Sequence, residues 1–192
     1  QELYDNSIII FTADHGEELC DHHMFRKARP YEGSCHIPLI ISGGKKFLPK
    51  GAGSTRCSSV VELRDIMPTL LDLADAPVPD TVDGKSPLPL LEDPARSVRP
   101  WLHGEHSFDE YSNHWIVTET DKYIWHSQTG QEQYFHLEKD PHELTDLIAE
   151  DACKMRIQEL RGHLIESLEN RREGFVENGR LVPGRPYPPV LS

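Results

Sequence analysis

Hydrophobic positions fall into two textures along this chain. In the first part they come as short β-branched runs. Asn6-Ser-Ile-Ile-Ile-Phe-Thr12 is apolar on both faces and predicts a buried strand of the parallel-sheet type. Ile37-Pro-Leu-Ile-Ile41 predicts a second strand, with Pro38 tolerated near its start. Residues 58–63 predict a third. Asp65 then suits a helix N-cap, and Pro68 falls in the first turn, where its missing N–H is harmless. Leu70, Leu71, Leu73 and Ala74 carry that helix toward Pro77. The stretch 77–94 is rich in proline, aspartate and glycine and reads as a surface loop and domain junction.

After about Ser97 the pattern changes to short alternating pieces at 99–104, 114–120, 122–126 and 132–137. Turn signals at Thr120-Asp121 and Thr129-Gly130 separate some of them, so a small antiparallel sheet is expected. Ile157, Leu160, Leu164 and Leu168 form one stripe of a helix spanning 151–171, stopped by Gly174. The proline-rich stretch 183–192 reads as an extended tail. The expected division is 1–96 for an α/β portion, 97–175 for a small α+β portion with its packed helix, and 176–192 for the tail.

Composition narrows the classes of function. The 192 residues suffice for a real core, at 37% hydrophobic and 27% charged. The net charge of −12 argues against a broad grip on nucleic acid or an anionic membrane. The apolar runs fall far short of the roughly 18 residues that suggest a membrane span. Cys20, Cys35, Cys57 and Cys153 have no C-x-x-C spacing and read as reduced thiols. The chain starts at Gln1 and enters a strand within a few residues, which reads as a start in mid-fold.

Candidate chemistry concentrates between Thr12 and Gly33. Asp14 and His15 follow the first strand directly, where a carboxylate and an imidazole can both face a cation. Gly16 lets the backbone turn away. Lys27 and Arg29 add positive charge, and a cation with a lysine suits a tetrahedral oxyanion. A structural zinc site from His15, Cys20, His22 and His23 is the rival reading, although their spacing lacks the usual paired pattern. Simple capping, packing or solvation of these histidines is the third.

The block Asn6 to Glu17, Cys20-Asp-His22, Phe25-Arg-Lys27, Pro30-Tyr-Glu-Gly33 and Ile37 to Ile41 resembles a C-terminal signature of the sulfatase family, within the alkaline phosphatase superfamily. The resemblance continues through Val61 to Ala74, Val82-Asp-Gly-Lys-Ser86, Leu88-Pro-Leu-Leu91 and Tyr134 to Leu147. It implies the C-terminal portion of the alkaline-phosphatase-like α/β sandwich, followed by a small antiparallel sheet with a packed C-terminal helix. It implies sulfuric ester hydrolysis by a formylglycine, with a divalent cation, usually calcium, holding the nucleophile and a sulfate oxygen. Asp14 matches a metal ligand, His15 a position facing metal or sulfate, and Lys27 the lysine that contacts sulfate and helps the leaving oxygen. His103 and His106, in His-Gly-Glu-His-Ser107, are candidate substrate contacts.

The departure is equally specific. No cysteine or serine here opens a C-x-P-x-R or S-x-P-x-R motif, so the formylglycine is expected in an N-terminal part outside this chain. The chain alone is expected to be inactive. The expected partner is a sulfate-ester small molecule or sugar, with no nucleic acid and no membrane. A phosphonate monoester or phosphodiester hydrolase and a non-catalytic sulfatase remnant stay open as alternatives. The oligomeric state is open. So is the compartment: the cysteines lean toward the cytoplasm, whereas sulfatases are often exported.

Overall fold

A computed structural model describes residues 2–44, 46–48, 55–107 and 109–186. The stretch 45–54, whose lysines and glycines read as a basic loop, lies largely outside the described residues, as does the tail from 187 onward. In chain order the main elements are α1 (Glu2–Asp5), β1 (Ile8–Thr12), α2 (Glu32–Cys35), β2 (Leu39–Gly43), α3 (Ile66–Leu73), α4 (Pro89–Glu92), β3 (Leu102–His106), β4 (Asn113–Val117), β5 (Asp121–His126), β6 (Glu132–His136), α5 (Lys154–Leu168), β7 (Val176–Glu177) and β8 (Arg180–Leu181). No helix among the described residues is long and apolar enough to cross a membrane. The chain divides into two compact units. One comprises Gln1–Asp14 and Ile37–Pro100, the other His15–His36 and Trp101–Ser192.

In the first unit β1 and β2 pair antiparallel, with Ile10 opposite Ile41 and Phe11 opposite Ile40. This corrects the expectation of a buried parallel strand. The run is apolar on both faces, but Ile9, Phe11 and Ile40 stay exposed. A doubly apolar strand needs cover on both sides, and the described residues cover one. Residues 58–63 form no ladder. The chain instead enters a 3-10 turn at Leu63–Asp65, capped by Glu62.

Asp65 stands at the N-cap position of α3, as expected, but its side chain makes no cap bond there and turns back to the 3-10 turn instead. Its Oδ2 accepts from the Glu62 N–H at 2.9 Å and its Oδ1 from the Lys85 N–H at 2.7 Å. Arg99 completes the arrangement with two parallel hydrogen bonds, Nη1 to Oδ2 at 2.7 Å and Nη2 to Oδ1 at 2.6 Å. Such a bidentate pair is both strong and directional. A Cβ at Gly84 would lie 1.9 Å from the Arg64 carbonyl oxygen, so the Val82–Ser86 motif can fold onto this turn only with glycine there.

In the second unit β3-β4-β5-β6 form an antiparallel meander. The sheet follows from alternating residues that can be covered on two faces. Ile116, Tyr123, Trp125 and Tyr134 point one way and meet Ile157, Leu160, Leu164 and Leu168 of α5 together with Phe175. Ile124 and Phe135 point the other way and meet Tyr31. All six residues of β5 are buried as a result. The helix stripe and the placement of Trp125 in the core agree with the sequence pattern. α5 ends at Leu168 with Glu169 as its C-cap, short of the expected 171, so Gly174, with φ of 73°, turns the chain beyond the helix rather than stopping it. β7 and β8 then form a small hairpin from residues expected to begin the tail.

Candidate active site

The segment His15–His36 carries the predicted chemistry and folds back on itself. Gly16 N–H donates to Ser34 O at 2.8 Å, Glu18 N–H to Arg26 O at 2.9 Å, and Cys20 N–H to Met24 O at 2.8 Å. A Cβ at Gly16 would stand 2.1 Å from the Gly33 carbonyl oxygen, so the two strands of this loop close only around glycine. Leu19, Cys20, His22, His23 and Arg26 all have positive φ, between 47° and 84°. Left-handed backbone is unfavourable for residues with a Cβ. Such strain persists only where surrounding contacts hold it, and it clusters at functional sites.

Those contacts come from one face of the sheet. Asn113 Nδ2 donates to the Ala28 carbonyl at 3.3 Å. Arg29 lies 4.9 Å over the Tyr111 ring and donates from Nη1 to His126 Nδ1 at 3.2 Å. Because that nitrogen accepts, His126 Nε2 carries the proton and donates to Gln133 Oε1 at 3.0 Å. Burial first, and the nearby Arg29 charge second, keep this imidazole below its ordinary pKa. Tyr31 stacks on His22 with ring centroids 3.9 Å apart and donates to Gln133 Oε1 at 3.3 Å. Tyr31 and Glu32 support the loop, in line with the sequence reading.

Glu32 is held most firmly. Its Oε1 lies 2.6 Å from Lys122 Nζ, whose other carboxylate partner is Glu143 Oε1 at 2.8 Å. The Glu32 N–H donates to Glu143 Oε2 at 2.6 Å. Lys122 is 1% exposed, a buried ammonium between two carboxylates. Burial pushes the Glu32 carboxyl up, but the His36 hydrogen bond and the Lys122 charge outweigh it and hold the group at about 2. An unfolded glutamate titrates near 4.3. Glu32 therefore contributes stability above that pH and loses it as pH falls toward about 2. The urea midpoint is expected to drop between pH 5 and pH 3, and Glu32→Gln to show a smaller drop; an equal drop would exclude this origin.

Within this frame the structure brings three predicted residues together. His15 Nδ1 lies 2.8 Å from the Gly16 carbonyl oxygen, which can only accept, so Nδ1 carries the proton. His15 Nε2 is then a bare acceptor, and Lys27 Nζ donates to it. His106, at the end of β3, is held below its ordinary pKa by burial and then by the Lys27 charge, which places it in the same neighbourhood. His103 is not brought there. Three residues apart on one strand means opposite faces, and His103 Nε2 meets His114 Nδ1 at 3.2 Å instead.

Asp14 is exposed just beyond β1. Calcium takes six to eight oxygen ligands. Among the described residues, no set of three metal-ligating side chains includes Asp14 or His15. The donors present here do not by themselves fit a calcium ion. Nor do His15, Cys20, His22 and His23 gather as the rival zinc reading required. Sequence reasoning missed Lys122 and Glu143. The available signal was a lysine inside Asp-Lys-Tyr-Ile-Trp-His126, a strand otherwise patterned for burial on both faces.

The architecture is that of the C-terminal part of alkaline-phosphatase-like sulfatases. A protein solved in complex with its substrate D-glucosamine-2-N,6-O-disulfate aligns with TM-score 0.74 and 26% identity, over 86% of this chain and 34% of that one. The phosphonate monoester hydrolase of Agrobacterium radiobacter aligns with TM-score 0.71 and 26% identity, over 95% and 40%. Residues 20–172 match the family model described as N-sulphoglucosamine sulphohydrolase, C-terminal, and the chain belongs to this family of sulfatases. An arylsulfatase of Clostridium perfringens is 50% identical over 95% of this chain, and arylsulfatase K of Gallus gallus 40% identical over 76%. The chain spans 38% and 28% of the lengths of those two relatives.

Proposed function

We propose that the protein carrying this chain is a sulfuric ester hydrolase, and that this chain supplies part of its sulfate site. The observation that carries the reading is the His15–Lys27 pair, seated in a loop that the sheet holds in a strained form. An ammonium has three protons. One goes to His15, and another can go to a sulfate oxygen. Sulfate-ester cleavage builds charge on the leaving oxygen, and a fixed cation placed before the reaction lowers that barrier without reorganisation. Neutral His15 orients the ammonium without competing for the anion. His106, at the end of β3, is assigned as a further substrate contact.

Asp14 is assigned as one cation ligand, with the remaining ligands and the formylglycine on a part of the protein outside this chain. The substrate class is a small sulfated molecule or sugar. The family description and the glucosamine disulfate bound by one structural relative support a sulfated amino sugar. A phosphonate monoester or phosphodiester hydrolase is the second reading, favoured by the fold shared with the Agrobacterium enzyme. Comparing hydrolysis of a sulfate ester with that of a phosphonate monoester or phosphodiester, each followed by the alcohol it releases, separates the two in the full-length protein. Sulfate release from sulfated glucosamine is expected, and phosphonate-only turnover would sink the proposal. The 192-residue chain alone is expected to show no turnover. EDTA-sensitive hydrolysis by it would place the nucleophile within this chain.

A further inference from the structure

We propose that His103, Glu105 and His114 form a binding site for a transition-metal dication of the zinc class, on the sheet face opposite the His15–Lys27 loop. The topology assembles the three ligands. His103 and Glu105 are two apart on β3 and share a face. Glu105 stands directly opposite His114 on β4. All three ligand atoms lie within 4.8 Å of one another, and no other such group occurs among the described residues.

The spacing suits a tetrahedral ion. Two ligands bound at about 2.0–2.1 Å in tetrahedral geometry stand about 3.3–3.4 Å apart. His103 Nε2 and His114 Nδ1 are 3.2 Å apart, and His114 Nδ1 and Glu105 Oε2 are 3.5 Å apart. Two histidines and one carboxylate also form a recognised zinc donor set, which leaves a fourth position for water. Without an ion, one proton lies between the two imidazoles. When a cation binds, that proton moves to the distal nitrogen of its ring, and both facing nitrogens offer lone pairs.

The ligands are also held in place. His114 is buried, with its ring 5.8 Å from Trp125 and edge-on to Phe175 at 5.0 Å. Gly104 fixes the register between β3 and β4. It stands opposite Trp115, and a Cβ there would come within 2.2 Å of the indole ring. Arg171 holds the Glu105 carboxylate through Nη1 to Oε2 at 3.0 Å and also pairs with Glu173 at 2.7 Å. Around the histidines the charged groups are therefore Glu105, Glu173 and Arg171, two negative against one positive, a balance that admits a dication.

Titrating Co²⁺ into the protein and recording its visible spectrum tests the proposal. One equivalent is expected to give the intense bands of a tetrahedral ion, and Zn²⁺ to displace it. Paramagnetic broadening should reach the His103 and His114 ring protons first. Glu105→Gln, at an exposed position, should leave the fold intact and weaken zinc binding at least about 10-fold, as should His103→Gln. Cys20→Ser and His22→Gln should leave binding unchanged. Absence of binding at millimolar Co²⁺, an octahedral spectrum, or sensitivity to Cys20→Ser or His22→Gln rather than to Glu105→Gln overturns it. The titration requires no turnover, so its outcome is independent of the sulfatase reading.

Discussion

Replacing Lys122 by methionine is expected to destabilise the unit built on the four-stranded sheet by about 3–5 kcal/mol. Methionine keeps the unbranched apolar stem and lacks only the terminal ammonium, so little packing is lost. The loss is therefore mainly electrostatic. Glu143 is 2% exposed and faces Lys122, with Glu32 on the other side of the ammonium. Removing the cation leaves the buried Glu143 without a charged partner, while Glu32, partly exposed, keeps only its His36 contact. Urea unfolding followed by the fluorescence of Trp125, which lies in the same unit, measures the loss. Adding Glu143→Leu to Lys122→Met should recover part of it, because the second change removes one orphaned charge. A loss under about 1 kcal/mol, or a double variant no better than the single one, would show that the triad is not what holds the loop.

In an active full-length enzyme, Lys27→Ala is expected to lower kcat about a hundred- to a thousandfold, the usual effect of deleting one preorganised group that faces developing charge. KM should change far less, since the leaving-group charge exists only in the transition state. Fold stability should barely move, because Lys27 is exposed and spends a hydrogen bond on His15 alone in its own loop. Steady-state kinetics on a sulfate ester checks this. A kcat within a fewfold of the parent would remove Lys27 from the site.

The elements most legible in the sequence were those whose period is their own evidence. Ile157, Leu160, Leu164 and Leu168 mark α5, and alternation marks β4 to β6. β1 misled because a run apolar on both faces records total cover, and says nothing about which way its neighbour runs. Residues 58–63 misled because β-branched composition favours extended backbone, whether or not a partner strand is present.

At the site, residue type located His15 and Lys27, but their meeting depends on a loop with five left-handed residues, which no local propensity favours. His103 and His106 were paired by proximity in sequence, although the two-residue period of a strand separates them. Lys122 escaped notice for a different reason. A lysine in a strand ordinarily marks a solvent face, and only the tertiary arrival of Glu32 and Glu143 makes its burial tolerable.

The Lys122 triad also sets what can be exchanged between relatives. The loop that presents Lys27 is read in the sequence as one stretch, 15–36, and looks like a portable cassette. Its seat, however, is written more than eighty residues later, at Asn113, Lys122, His126 and Glu143. A chimera that imports the cassette without those four positions sets Glu32 against a foreign strand. The smallest transferable part is the loop together with the sheet face beneath it, and substitutions at Glu32, Lys122 and Glu143 should be inherited as a set.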